Sequence, residues 1–117
     1  MELKEFEKAV QRLKDALAQT KDEYIRDSVI QRFEFCVELS WKSAKKILQL
    51  TASTPRTVIR DLAQEKLISD PEKWFQFLEA RNLSSHTYQE ELAEKVYTIA
   101  QQALPEFEAL VISLKKV

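Results

Sequence analysis

Leu3, Phe6, Val10, Leu13 and Leu17 recur at spacings of three and four along the first segment. That spacing places them on one stripe of an α-helix. Lys4, Glu5, Glu7, Lys8, Gln11, Arg12, Lys14 and Asp15 fall on the remaining faces. The pattern predicts a first helix over about residues 2–19, its stripe turned to a core. The polar stretch Gln19-Thr20-Lys21-Asp22 breaks the pattern and leads into a second helix over roughly 22–50. From Arg32 onward its apolar residues are dense: Phe33, Phe35, Cys36, Val37, Leu39, Trp41, Ala44, Ile47, Leu48 and Leu50. They lie on more than one side, which marks a central helix or one at an interface.

Thr54-Pro55 and Asp70-Pro71 repeat one device, a capping side chain followed by a proline that suits the first helical position. The first opens a short third helix over about 55–67, with Val58, Ile59, Leu62 and Leu67 apolar. The second opens a fourth helix, in which Trp74, Phe75, Phe77 and Leu78 pack and Arg81 and Asn82 fall near the end. Thr87-Tyr88-Gln89-Glu90 has the form of a capping box and predicts the start of the last helix at Thr87. Leu92, Val96, Ile99, Ala100 and Ala103 form its stripe. Pro105 is expected to break or kink the path, with Phe107, Leu110, Val111 and Leu114 on a terminal helix beyond it. The expected fold is all-α: an antiparallel up-and-down bundle in one domain spanning residues 1–117.

Composition sharpens this picture. The 117 residues contain no Gly and three Pro. A chain without Gly has neither a Gly-rich phosphate loop nor a dinucleotide fingerprint. Its balanced charge, net −1, gives no strong field toward nucleic acid or membrane, so an RNA contact must come from a local patch. One cysteine, Cys36, permits no intrachain disulfide and fits a reducing compartment. It sits in the apolar run of the second helix, which suits a buried structural thiol rather than a nucleophile. The charged start Met1-Glu2-Leu3-Lys4-Glu5 lacks the apolar run of a signal peptide, and no run is long enough to span a bilayer. The expectation is a soluble, cytoplasmic protein without a membrane partner.

The candidate chemistry lies in Arg81-Asn82-Leu83-Ser84-Ser85-His86-Thr87-Tyr88, which holds the single histidine. Histidine trades protons near neutral pH. Arginine is a permanent cation whose planar fork suits phosphate. Five residues advance a continuous helix by about 500°, so Arg81 and His86 would point roughly 140° apart. They converge only if the helix is interrupted, and Ser84 and Ser85 favour such an interruption. A helix restarting at Thr87 would place His86 just before a positive helix end.

These residues resemble the Arg-x4-His-x-Tyr motif of the HEPN domains (higher eukaryotes and prokaryotes nucleotide-binding). A second patch, Arg32-Phe33-Glu34-Phe35 with Glu38, Trp41, Lys42 and Lys45, is similar to the helix-2 signature of one bacterial branch, the nucleotidyltransferase substrate-binding proteins. The resemblance covers nearly the whole chain. It implies a HEPN-like four-helix core with short extra helices and a metal-independent ribonuclease of toxin–antitoxin type. In it His86 would handle protons, Arg81 would stabilise charge on the phosphorane and Asn82 would orient the pair or the phosphate. It further implies a homodimer, which would supply two histidines to one cleft. The implied partner is a small nucleotidyltransferase encoded nearby, which transfers AMP from ATP onto Tyr88. ATP and a divalent metal are expected only in that partner, with no cofactor or metal in this chain.

Each residue also has a plainer reading. His86 would be a surface histidine, Arg81 a cation satisfying the end of its helix, and Tyr88 an aromatic packing across a first turn. Glu34, Glu38 and Lys42 lie four apart and form a salt ladder, with a partner or RNA contact as the second reading. Arg56 and Arg60 share one helix side, as surface charges or as an RNA or partner contact. Trp41 and Trp74 read as core or dimer anchors. The competing function is a non-catalytic subunit that presents substrate or nucleotide to the nucleotidyltransferase, or docks with it; a blander third is a helical dimer used only for assembly.

Overall fold

The stripe of the first helix is buried as its spacing demands: Phe6, Val10 and Leu13 line the inner face of α1 (Glu2–Leu17). The computed structural model describes residues 2–117, so Met1 lies outside the described residues. Four further α-helices follow: α2 (Glu23–Leu48), α3 (Pro55–Gln64), α4 (Pro71–Leu83) and α5 (Glu90–Lys115). A short 3-10 turn, Ser84–His86, extends α4. The described residues hold no strand.

The two longest helices, α2 and α5, each run 26 residues and pack against one another. α1 and α4 both rest on that pair without touching each other, and α3 covers α4 and α2. This is the expected bundle, four helices around a core with one short addition. Phe107 of α5 sits at its centre. Its ring centroid lies 6.3 Å from Phe6 of α1, 6.2 Å from Phe33 of α2, and 5.5 and 5.8 Å from Trp74 and Phe77 of α4. Contacts in this range, edge-on or tilted, favour aromatic pairs beyond the area they bury.

The capping expectations hold for α3 and α4, and α2 has a cap that its sequence reading did not name. Asp22 accepts from the Ile25 amide at 2.8 Å, Thr54 caps α3 with Pro55 next, and Asp70 caps α4 with Pro71 next. Three helix ends fall short. α1 stops at Leu17 rather than near residue 19, α2 at Leu48 rather than near 50, and α3 at Gln64 rather than near 67. At α3 the Leu67 amide donates back to Leu62 and the Lys66 amide to Ala63, with Lys66 at φ 61°. Gln49 does the same after α2 at φ 53°. These are Schellman ends, which usually employ glycine. In a chain without Gly the left-handed positions fall to long polar residues, and composition gives no sign of where.

Pro105 neither ends α5 nor starts a separate terminal helix. α5 runs unbroken from Glu90 to Lys115 with Pro105 inside it. Both Pro105 and Gln101, whose carbonyl loses its helical donor, face solvent. An exposed position leaves the freed carbonyl open to solvation, and burial of Ala103, Phe107 and Leu110 on the opposite face holds the helix together.

Cys36 is fully buried, and burial alone pushes its thiol up to about 12, as expected for a structural cysteine. No helix among the described residues is long and apolar enough to cross a membrane.

Phe107→Ala removes the ring that joins α1, α2 and α4 to α5. The expected cost is about 3–5 kcal/mol of stability, read as a lower urea midpoint. A cost under about 1 kcal/mol, the size of a surface change, would remove Phe107 from its central place.

Candidate functional site

The candidate residues gather where α4 passes into α5. Three hydroxyls shape this corner. Ser84 Oγ donates to the Arg81 carbonyl at 2.6 Å, Ser85 Oγ to the Asn82 carbonyl at 3.2 Å and Thr87 Oγ1 to the Ser84 carbonyl at 3.1 Å. Each bonds three residues back, so the chain tightens into a 3-10 turn instead of beginning a new helix. The break foreseen at Ser84-Ser85 is therefore a change of winding. The chain turns later, over Thr87–Gln89, and α5 begins at Glu90. The capping box expected at Thr87 does not form, because α5 begins only at Glu90 and Thr87 lies two residues before its N-cap; Gln89 stands at the N-cap with no side-chain bond. Glu90 and Glu91 fill the first turn of α5, so its positive end faces its own carboxylates rather than His86.

What fixes the start of α5 is a buried guanidinium. Arg26 of α2 is 5% exposed. Its Nη1 donates to Glu90 at 2.6 Å and Glu94 at 3.2 Å, and its Nε donates to Asp27 at 3.2 Å. The Glu90 bond is the first cause that holds its proton above the ordinary arginine value. Lys21 also donates to Glu94 and lies 4.5 Å over the Tyr97 ring. Sequence reading missed this cluster; its only trace was a lone arginine in the less regular first part of the second helix.

His86 and Tyr88 project from the corner into solvent. Tyr88 is 78% exposed, so it does not pack across a first turn. Its hydroxyl lies 3.5 Å from His86 Nδ1 and the rings meet edge to face at 6.1 Å. Asn82 is exposed one residue beyond Arg81. Arg81 itself turns toward α2. Its Nη1 lies 3.6 Å from Glu34 and its Nε 3.4 Å from Glu38, and Lys42 lies 3.6 Å from the other oxygen of Glu38. The ladder read along α2 is thus real, and its two carboxylates serve Arg81. Within one chain, no hydrogen bond joins Arg81 to His86: one is held by α2, the other stands beside Tyr88.

Arg56 and Arg60 lie over the Phe75 ring, at 4.2 and 5.9 Å from its centroid. This cation–π stacking ties α3 to α4 and gives both arginines a structural role while leaving them exposed. Trp74 is a core residue, and Trp41 is partly buried beside Lys42. Among the described residues, no three His, Cys, Asp or Glu side chains are grouped to hold a metal ion.

A family model described as nucleotidyltransferase substrate binding protein like matches residues 1–116. The chain belongs to this family. Two matches come from Haemophilus influenzae. One, named a probable ribonuclease HepT, is 35% identical over 95 residues, 74% of this chain; the match spans 65% of that relative's length. The other is a solved structure described as a substrate-binding domain of a nucleotidyltransferase, with 28% identity and a TM-score of 0.87 over 97% of this chain and 98% of that one. A tri-AMPylated HEPN toxin of Shewanella oneidensis, solved in complex with an MNT antitoxin, shares the fold at 22% identity, with a TM-score of 0.77 over 99% and 95% of the two chains. The family member described above is thus HEPN-like in fold, as its motif implied.

Glu94 is held below its usual value, first by the hydrogen bond from Lys21 and then by that from Arg26. A depressed carboxylate lends stability above its unfolded value, about 4.3 for Glu, and loses it as pH falls through the folded value. Urea midpoints should therefore fall on acidification below about pH 4.3, and Glu94→Gln should show a shallower fall. Parallel profiles for the two proteins would detach Glu94 from this linkage.

Proposed function

We propose that this chain is a metal-independent ribonuclease of toxin–antitoxin type, silenced when a partner nucleotidyltransferase transfers AMP onto Tyr88. The observation that carries it is the exposed His86–Tyr88 pair at the corner between α4 and α5, with Arg81 and Asn82 on the preceding turn. The family, and the name of the HepT relative, support the same reading.

In this reading the RNA 2′-hydroxyl attacks its own phosphorus and the 5′-oxygen leaves, giving a cyclic phosphate and a free 5′-hydroxyl. One proton must leave the attacking oxygen and one must reach the leaving oxygen. A chain with a single histidine meets both needs as a homodimer, with His86 of each copy acting at one cleft. Arg81 stabilises the charge on the phosphorane, and Asn82 orients the phosphate. For silencing, the Tyr88 oxygen attacks the α-phosphorus of ATP and pyrophosphate leaves. ATP and its divalent metal sit in the partner. The added AMP brings bulk and negative charge to the place an RNA phosphate needs. The proposed setting is the cytoplasm.

One observation favours a second reading, a docking or substrate-presenting subunit without catalysis. Arg81 is already paired with Glu34 and Glu38, so a single chain offers no open cation at the corner.

The unmodified protein is expected to cleave RNA in EDTA. His86→Ala should lower the rate by at least about 10²-fold. Tyr88→Phe should keep cleavage but gain no AMP mass from the partner and ATP. RNA left intact by dimeric, unmodified wild type across many substrates would sink the nuclease and leave the docking role.

A further inference from the structure

Two guanidiniums in this chain face carboxylates, and they are held in opposite ways. Arg26 is 5% exposed and donates hydrogen bonds as short as 2.6 Å to three acidic residues. Arg81 is 33% exposed at its side chain, and its partners Glu34 and Glu38 are 30% and 36% exposed. Its contacts are 3.6 and 3.4 Å, longer than the roughly 2.7–2.9 Å of a charge-assisted bond. Its Nε is shut off from solvent yet makes no hydrogen bond. Charge holds Arg81 near α2, and geometry leaves its Nε without a hydrogen bond.

From this contrast we propose that Glu34 and Glu38 are built-in competitors for Arg81. They park the guanidinium between α2 and α4 until an RNA phosphate takes it from them. The proposal rests on Arg81 being a phosphate contact, as in the function proposed above, and it specifies how that contact is regulated. Arg81, Lys42, Glu34 and Glu38 together carry no net charge, so the resting corner does not attract polyanions indiscriminately. A phosphate that meets the fork in bidentate register gives it the short, aligned bonds that the 3.4 and 3.6 Å carboxylate contacts lack, Nε included. Binding at this cation is then an exchange of anions. The freed carboxylates draw salt cations back, which offsets the cation released from the RNA phosphate. Arg81 therefore contributes little to the salt dependence of binding while the glutamates are present.

The test measures binding of a non-cleavable 2′-O-methyl oligoribonucleotide to the unmodified full chain over a salt series. The Glu34→Gln/Glu38→Gln double variant keeps side-chain shape and removes the competing charge. It should bind about fivefold more tightly at low salt, the sum of two exposed ion pairs. The slope of log K against log salt should steepen by about 0.7, one more phosphate contact on a single strand. Each single Gln variant should show a part of both effects, which keeps the test alive if the double variant folds poorly. Arg81→Ala separates the two levels. If it weakens binding while the Gln variants match wild type in affinity and slope, the competition is refuted and the phosphate contact stands. Weaker binding by the Gln variants with unchanged slope would make the glutamates mere supports for Arg81 and also refute it. If Arg81→Ala binds as wild type does, the phosphate contact and the competition fall together.

Discussion

Phe107 is the constraint on which the bundle depends. Its ring meets Phe6, Phe33, Trp74 and Phe77, so one side chain of α5 touches α1, α2 and α4 at once. α1 and α4 have no contact of their own. Their relative position is therefore transmitted through the α2–α5 pair, and Phe107 is its most connected aromatic. Aromatic side chains suit this place, because each buries a large apolar area while its edge and face prefer defined angles to its neighbours. The demand is strong enough to carry α5 unbroken past Pro105, only two residues away, with Pro105 and Gln101 on the exposed side.

With the helices placed, two arginines of α2 and α4 divide the electrostatic work. Arg26 joins the start of α2 to the start of α5 through Glu90 and Glu94. A buried cation of this kind is costly to leave unpaired, so its carboxylates are tied to it. That tie sets where α5 begins, and hence how long the Thr87–Gln89 turn must be. Arg81 bridges α4 to α2 under partial exposure, where water screens its pairs and makes them exchangeable. The corner holding His86 and Tyr88 lies between a fixed bridge and a movable one. Its exposure suits chemistry on a partner's substrate or by a partner's active site, because neither side chain is engaged in packing.

Much of this was legible along the chain. The stripes of α1 and α3 named most of their buried residues, and that of α5 only part, since Ala93 and Tyr97 are buried outside it while Leu92 and Ile99 within it are half-buried; Thr54-Pro55 and Asp70-Pro71 marked two helix starts through local hydrogen bonds. Two short patches were enough to assign the family. The Glu34–Glu38–Lys42 ladder was visible from its spacing, but its true partner, Arg81, lies more than forty residues on and on another helix. The start of α5 was misplaced for a related reason. Thr87 and Glu90 have the letters of a capping box, yet the Thr87 hydroxyl bonds back to Ser84 and the Glu90 carboxylate reaches across to Arg26.

The amino-acid order by itself determined the helical content, the buried stripes, the proline-marked helix starts and the residue types available for chemistry. These follow from interactions within a few residues and from the 3.6-residue period. Only the tertiary structure decided which carboxylates belong to Arg26 and which to Arg81, where the chain turns after His86, and that Tyr88 stands exposed beside His86. Charges and turns of this kind are settled by side chains from distant helices competing for the same hydroxyls and carboxylates, a contest that no local spacing records.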